Sequence, residues 1–306
     1  MEIRQGLAGL TPEKETLLTI GVFDGVHAGH RYLIEKLNQQ AREENQLSGV
    51  VTFSPHPQSV LQPHNKLTWL SSLEDRIKSL QELGVALVTV LSFTPELSQL
   101  SAQEFVALLK KHLNMCGLVI GPDFTLGKGR EGDASLLRSL SQEMKFSVEI
   151  ISPLTLNDEI VSSTLIRQTL AQGDVMKVRK LMGRHFTLSA RVVPADKRGR
   201  ILGFPTANLD IKPGQALPGN GVYATVTPID NKQSISVTYI GTRPTFGKGE
   251  KSVETHLLNY EGNLYGKELK VEFIDRLRDE KHFASPQELK SQIKKDIKRV
   301  SITTYK

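Results

Sequence analysis

Residues 17–37 read LLTIGVFDGVHAGHRYLIEKL. The stretch opens as an apolar run, Leu17 to Phe23, whose β-branched residues and Gly-rich end predict a buried strand. It closes with Leu33, Ile34, Leu37 and Ala41 on one face and Arg31, Glu35, Lys36 and Asn38 on the other, which is helical spacing. Between the two lie Gly21, Gly25 and Gly29 with His27 and His30. A strand that runs through a Gly-rich turn into a helix offers free backbone N–H groups and the positive end of a helix dipole. Phosphate is the natural occupant of such a turn, and the histidines sit where it would lie.

Outward from this stretch the first half alternates. Strands are expected at 17–23, 49–54, 85–93, 116–121 and 147–152, with helices at 30–44, 72–83, 101–113 and 133–144. Ser72 and Ser101 suit N-caps, the latter with Glu104 as a capping box, and Gly84 suits a helix stop. Alternation of this kind implies a parallel sheet covered on both faces, with ligands at the carboxyl ends of its strands. That rule collects Asp24 to His30, Ser54 to Pro57 and Gly121 to Arg130. Residues 160–182 read as two short helices around Gly173-Asp174 that close the half.

From about Gly183 the texture changes. Short β-rich segments at 186–194, 222–229, 234–241, 252–259 and 268–277 are separated by turn signals, which predicts a small antiparallel barrel or sandwich. A last helix is expected over about 286–299, with Ser285 as N-cap and Pro286 at its first position. Two domains follow, 1–182 and 183–306.

Composition narrows the class. The 306 residues are 39% hydrophobic and 24% charged, enough for two ordinary cores. A lone cysteine, Cys116, makes no internal disulfide, and no apolar run approaches the ~20 residues of a membrane span. The first residues carry no long apolar segment, so no signal peptide is expected and the cytoplasm is the expected compartment. The net charge of +6 suits a phosphate-bearing ligand. Nucleic acid is not expected, because the Lys and Arg residues are scattered and the densest run, Lys290 to Arg299, reads as the wet face of a helix. The sequence carries no signal for an oligomeric state.

The Gly-rich loop is neither a Walker A motif nor GxGxxG, since no Gly-Lys-Ser/Thr follows and its glycines are four apart. Two histidines three apart can aim both imidazoles at one point, with Gly29 letting a ligand approach the backbone. Such imidazoles can stabilise charge developing on a phosphoryl group. The alternatives are two polar loop histidines or half of a metal site, and metal is disfavoured because no second cluster of ligands completes a tetrahedron.

Gly21 to His30 resembles the signature of the HxGH nucleotidyltransferases, and more narrowly the adenylyltransferase module of prokaryotic bifunctional riboflavin kinase/FAD synthetases. Thr52 to Pro57 resembles that family's TFxPHP, Gly121 to Arg130 its GxDFxFGKGR, and Ser162 to Arg167 its SSTxIR. The resemblance implies a Rossmann-like α/β domain in which FMN phosphate attacks the α-phosphorus of ATP, giving FAD and pyrophosphate. It implies that His27 and His30 hold the ATP phosphates and the transition state, with Ser163, Thr164 and Arg167 on the β- and γ-phosphates. Asp123 and Phe124 would lie near flavin or adenosine, and Gly21, Phe23, Asp24, Gly25, Gly29 and His56 would line the nucleotide. Read without the family, Ser162 to Thr164 could be an N-cap, Asp24 a loop carboxylate bound to backbone, and Phe53 and Phe124 core residues.

In the second half, Gly203 to Asn208 (GFPTAN) resembles the magnesium-ATP motif of the riboflavin kinase module. Pro218 to Tyr223, Ile240 to Phe246, Leu264 to Gly266 and Phe273 to Arg278 match in order. The resemblance implies a β-barrel with a terminal helix that phosphorylates riboflavin to FMN. Thr206 and Asn208 would bind Mg2+, and Glu254 would be the general base on the ribityl hydroxyl. Arg200, Gly203, Phe204, Pro205 and Arg243 would line the ATP. Taken alone, Thr206 and Asn208 could make a turn and Glu254 could be a surface strand carboxylate. There are departures: Ala190 and Ala195 replace glycines that the family often has, Pro194 removes a donor, Tyr239 stands for a usual Asn, and Ser54 replaces a common acidic residue. The rivals are an HxGH enzyme acting on another acceptor and a binding protein that has lost turnover.

Overall fold

The computed structural model describes residues 12–64, 67–195, 199, 202–230, 232–242 and 251–303. The chain divides into two compact units between Ser163 and Thr164.

The first unit is an alternating α/β layer structure. Its strands are β1 (Thr16–Ile20), β2 (Leu47–Ser54), β3 (Leu87–Ser92), β4 (Met115–Ile120) and β5 (Ser147–Ile150). They pair in parallel in the order β3-β2-β1-β4-β5. The larger helices between them are α1 (Ala28–Glu43), α3 (Leu73–Glu82), α5 (Ala102–Leu113) and α6 (Ala134–Met144). Side chains alternate across the sheet. Leu17, Val50 and Val119 share one core with Ile34 and Leu37 of α1 and Leu80 of α3. Leu18, Val51 and Leu118 share the other with Leu109 of α5 and Leu137 of α6. The strand order reverses between β1 and β4, so the crevice expected for a ligand lies at their carboxyl ends.

Ser72 and Ser101 cap α3 and α5 as expected, and the capping box with Glu104 is complete. Strand β1 differs: it stops at Ile20, short of the expected Phe23. Phe23 (φ 55°) and Val26 (φ 39°) take left-handed backbone angles that turn the chain out of the sheet. Two very short helices were not expected, α2 (Pro57–Leu61) and α4 (Pro95–Ser98). Each begins with proline behind a capping side chain, His56 and Thr94, and each is too short to show a periodic pattern. A two-residue hairpin, β6 (Thr155–Leu156) and β7 (Glu159–Ile160), turns on Asn157 and Asp158, both at positive φ.

The second unit begins within helix α7 (Ser163–Ala171), which is followed by α8 (Val175–Met182). The expected break at Gly173-Asp174 is there, with Gly173 at φ 82° and Asp174 capping α8. The end of α7 is tied to the residues that follow, with Gly219 N–H donating to the Leu170 carbonyl and Arg276 Nη1 to the Gln172 carbonyl.

Strands β8 (Phe186–Val193), β9 (Ala207–Asp210), β10 (Gly221–Ile229), β11 (Lys232–Thr242), β12 (Lys251–Leu257) and β13 (Glu268–Arg278) close a barrel in the order β10-β11-β12-β9-β8-β13. The structure thus selects the barrel from the two expected alternatives. It also adds β9, an unexpected strand that begins within the GFPTAN motif. Helix α9 (Pro286–Thr303) follows, with Ser285 Oγ accepting from Glu288 N–H as an N-cap does. A row of buried hydroxyls links three strands: Thr227, Ser236, Thr225, Thr238 and Thr255 join in sequence at 2.8–3.0 Å.

Arg278 of β13 forks onto Asp296 of α9 through Nε and Nη2 at 2.9–3.1 Å, and both side chains are largely buried. Removing one partner strands the other charge. Asp296→Ala is therefore expected to cost about 3–5 kcal/mol of stability. Denaturant titration checks this, and a loss below about 1 kcal/mol would mark the pair as a surface-type bridge.

Candidate functional site

The Gly-rich loop after β1 is held by side chains from several directions. Asp24 is 2% exposed, and its carboxylate accepts from Leu70 N–H at 2.9 Å and Ser71 N–H at 3.1 Å. Gly25 N–H donates to Ser71 Oγ, and Ser163 Oγ donates to the Asp24 carbonyl at 3.0 Å. Asp24 is thus a strut of the loop, as a loop carboxylate bound to backbone would be. Thr52 Oγ1 and Arg76 Nη1 both donate to the Val22 carbonyl.

His27 is the N-cap of α1, and its Nδ1 accepts from His30 N–H at 3.3 Å. An accepting Nδ1 carries no proton, so the ring's N–H lies on Nε2. The two imidazoles stack at 3.6 Å, 18° from parallel, and the edge of His30 meets Phe23 at 5.0 Å. Burial, then the neighbouring His27 and Arg76, push the His30 pKa well below the usual histidine range. Its Nδ1 is buried without a hydrogen-bond partner. At neutral pH the His30 ring is therefore uncharged, with hydrogen bonds and not a cation's charge to offer. Gly29 also lets protein approach its backbone closely. A Cβ there would stand 3.2 Å from the Val161 carbonyl and 3.3 Å from the His27 ring, so protein fills that side.

The other sequence-identified loops follow neighbouring strands. His56 caps α2 through Nδ1, which accepts from Gln58 N–H at 3.1 Å. The 121–130 loop is pinned to α5: Lys128 N–H donates to the Leu100 carbonyl, and Glu131 Oε1 accepts from Ala102 N–H. Gly127, at φ 78°, passes so close that a Cβ would lie 2.6 Å from Ala102 N. Asp123 is exposed at the loop's tip, while Phe124 and Phe53 pack against the larger core cluster. Ser163 opens α7, Thr164 follows it, exposed, and Arg167 lies one turn on from Ser163, on the same helix face.

In the barrel, Glu254 of β12 stands opposite Asn208 of β9 on one side and Tyr239 of β11 on the other. Opposed residues in antiparallel strands project to the same face, so the three form one row. Thr206 Oγ1 reaches Glu254 Oε2 at 3.4 Å. The segment before β9 is folded by Gly203 (φ 88°) and by Phe204 N–H donating to the Gly199 carbonyl. His256 fixes it further: Nδ1 lies 2.7 Å from the Pro205 carbonyl, and its ring meets Phe204 edge-on. Thr206 and Asn208 therefore belong to a strand entry and not to a turn. Tyr239 OH donates to Glu280, whose other oxygen accepts from Asn220 Nδ2 at 3.1 Å. Burial and that bond raise the Tyr239 pKa. Ala190 is a buried position of regular β8, and pairing with β9 ends at Val193, so Pro194 breaks no ladder bond. Arg200 and Arg243 lie outside the described residues.

Sequence reasoning missed Arg76, Glu280 and Asn220. Asn220 lies within the matched Pro218 to Tyr223 segment without having been singled out, and Arg76 carried a signal of its own: it shares the buried face of α3 with Leu80, a charge on an apolar stripe.

A parallel α/β unit with a clamped HxGH loop, followed by a barrel with a Thr/Asn/Glu row, fits a two-module enzyme acting on phosphates. Comparison with known proteins makes the class specific. The FAD synthetase family matches residues 10–165 and the riboflavin kinase family residues 182–303. The bifunctional riboflavin kinase/FMN adenylyltransferase of Escherichia coli (strain K12) is 37% identical over 97% of this chain and 96% of its own. That of Bacillus subtilis (strain 168) is 33% identical over 93% and 91%. A solved structure titled as a macrolide-efflux protein from Streptococcus pneumoniae is 28% identical, with a TM-score of 0.89 over 98% of this chain and 97% of that one. The chain belongs to the bifunctional riboflavin kinase/FMN adenylyltransferase family. It phosphorylates riboflavin to FMN and adenylylates FMN to FAD, with ATP as the donor. Among the described residues no helix is long and apolar enough to cross a membrane.

Proposed function

We propose that the two reactions use separate sites, residues 1–182 making FAD and 183–306 making FMN. The observation that carries the kinase assignment is the Asn208–Glu254 opposition with Thr206 Oγ1 at 3.4 Å. These are hard oxygen donors, the set that suits Mg2+ held jointly with ATP phosphates. Thr206 and Asn208 would hold the ion, which when bound neutralises phosphate charge. Glu254 takes the proton of the ribityl hydroxyl as it attacks the γ-phosphorus. Gly203, Phe204, Pro205, Arg200 and Arg243 are proposed to line the ATP.

In the first module no covalent intermediate is needed, so catalysis is positioning and charge stabilisation. His27 and His30 bind the ATP phosphates, and Ser163, Thr164 and Arg167 take the departing pyrophosphate, Arg167 through its forked donors. Gly21, Phe23, Gly25, Gly29, His56, Asp123 and Phe124 are proposed to line the nucleotide and flavin. Asp24 shapes that site from behind. No nucleic-acid partner is proposed. The cytoplasm is the proposed compartment, since the one cysteine offers no internal disulfide.

The test is to incubate the chain with riboflavin, ATP and Mg2+ and to separate flavins by chromatography. FMN should appear first and FAD after it, and a chelator in excess of the metal should stop riboflavin phosphorylation. FMN formation undiminished by the chelator would remove the metal from the scheme.

A further inference from the structure

Arg76 sits on the inner face of α3 and is 7% exposed. A buried guanidinium is costly unless its donors are used. Here Nη1 donates to the Val22 carbonyl at 2.6 Å and Nη2 to the Phe53 carbonyl at 3.2 Å. These two carbonyls stand at equivalent places. Val22 follows the end of β1 and precedes Phe23, where the chain turns out of the sheet. Phe53 is next to last in β2 and precedes the Ser54-Pro55-His56 segment. One planar fork thus fastens the backbones of two adjacent strand exits, both of which lead to loops of the adenylylation site. Burial lowers the Arg76 pKa from the usual guanidinium value, with Asp24 and Glu74 acting in the opposite sense to favour its charged form, and Arg76 in turn helps to lower the His30 pKa.

We propose that Arg76 is a positioning residue for FMN adenylylation, holding the HxGH loop and the His56 loop at a fixed spacing. The inference rests on the assignment of adenylylation to the His27–His30 loop. Arg76 is too deeply buried to take part as a ligand. Its effect passes through the two carbonyls, and only a forked cation satisfies both at once. Lysine keeps the charge and can reach one carbonyl at a time. Glutamine keeps one donor and loses the charge.

The experiment compares Arg76→Lys, Arg76→Gln and His30→Ala in the full chain, well below each variant's unfolding midpoint. FMN-to-FAD and riboflavin-to-FMN rates are measured separately. Misplacing a site by about 1 Å can cost about a hundredfold. The kcat for FAD formation should fall by about that factor in Arg76→Gln and recover at least about tenfold in Arg76→Lys. Riboflavin phosphorylation should stay within about twofold of the parent in both variants, because P-transfer there uses other residues. A merely structural role would leave kcat unchanged at temperatures where every variant is folded. The proposal is overturned if Arg76→Gln keeps FAD formation within about threefold, if lysine does no better than glutamine, or if both activities fall together. If His30→Ala itself retains FAD formation, the assignment of the site fails and the proposal with it. A strong His30 effect beside a silent Arg76 overturns only the proposal.

Discussion

Replacing His30 with alanine is expected to lower FAD formation by about 10²–10³-fold, the usual effect of removing one preorganised transition-state donor. Riboflavin phosphorylation should be unchanged. His30 is the better of the two histidines to remove. His27 caps α1, so its loss would also cost about 0.5–2 kcal/mol of helix stability. His30 has no such duty, and its Nδ1 is buried without a partner. Supplying FMN directly and measuring FAD isolates the step. If FAD formation stayed within threefold of the parent, the imidazole would be a packing element against Phe23 and no more.

The same histidine carries a pH signature. Its folded pKa lies below the unfolded value of about 6.5, chiefly because it is buried. Between those two values the unfolded chain binds more protons than the folded one. Stability therefore rises with pH through this window and is lost as pH falls through it. His30→Ala should flatten that part of the curve, which unfolding midpoints measured at pH 7 and pH 5 would reveal.

Glu254→Gln is expected to lower riboflavin phosphorylation by about 10²–10⁴-fold, the range for loss of a general base. Conversion of added FMN to FAD should persist. Glutamine keeps the size of the side chain and a partner for Thr206 Oγ1, so the row with Asn208 and Tyr239 is preserved. What disappears is the proton acceptor. A carboxylate is a weak base for an alcohol, so the group earns its effect only where the attacking hydroxyl is already aligned. A rate within threefold of the parent would reduce Glu254 to a strand carboxylate that happens to face Asn208.

Much of this arrangement is legible in the sequence. Apolar runs alternating with 3.6-periodic helices gave the parallel sheet, and Ser72 and Ser101 marked helix starts by ordinary capping chemistry. The HxGH loop stood out because its residue types match phosphate chemistry. Strand β9 did not, because Thr206 to Asn208 sit in a Gly- and Pro-rich stretch that reads as a turn, and its pairing with β12 spans dozens of residues. The early end of β1 was hidden by Phe23, a strand-forming residue that tertiary packing holds in a left-handed turn. Arg76 was visible only as an oddity, a charge on an apolar helix face. Its two carbonyl partners lie 54 and 23 residues away in the chain, beyond any local pattern.

The two sheets also differ in what they leave open. The parallel sheet ends at β3 and β5, and an end strand can template unwanted pairing with another chain. β5 is blunted in the usual ways: it has only four residues, and Ser147 and Glu149 point outward from it. The barrel needs no such protection, because β13 pairs back to β10 and no strand is left at an edge. Of the two units, the barrel is thus shielded from edge-to-edge aggregation by closure itself, and the parallel sheet relies at its β5 edge on shortness and an outward charge.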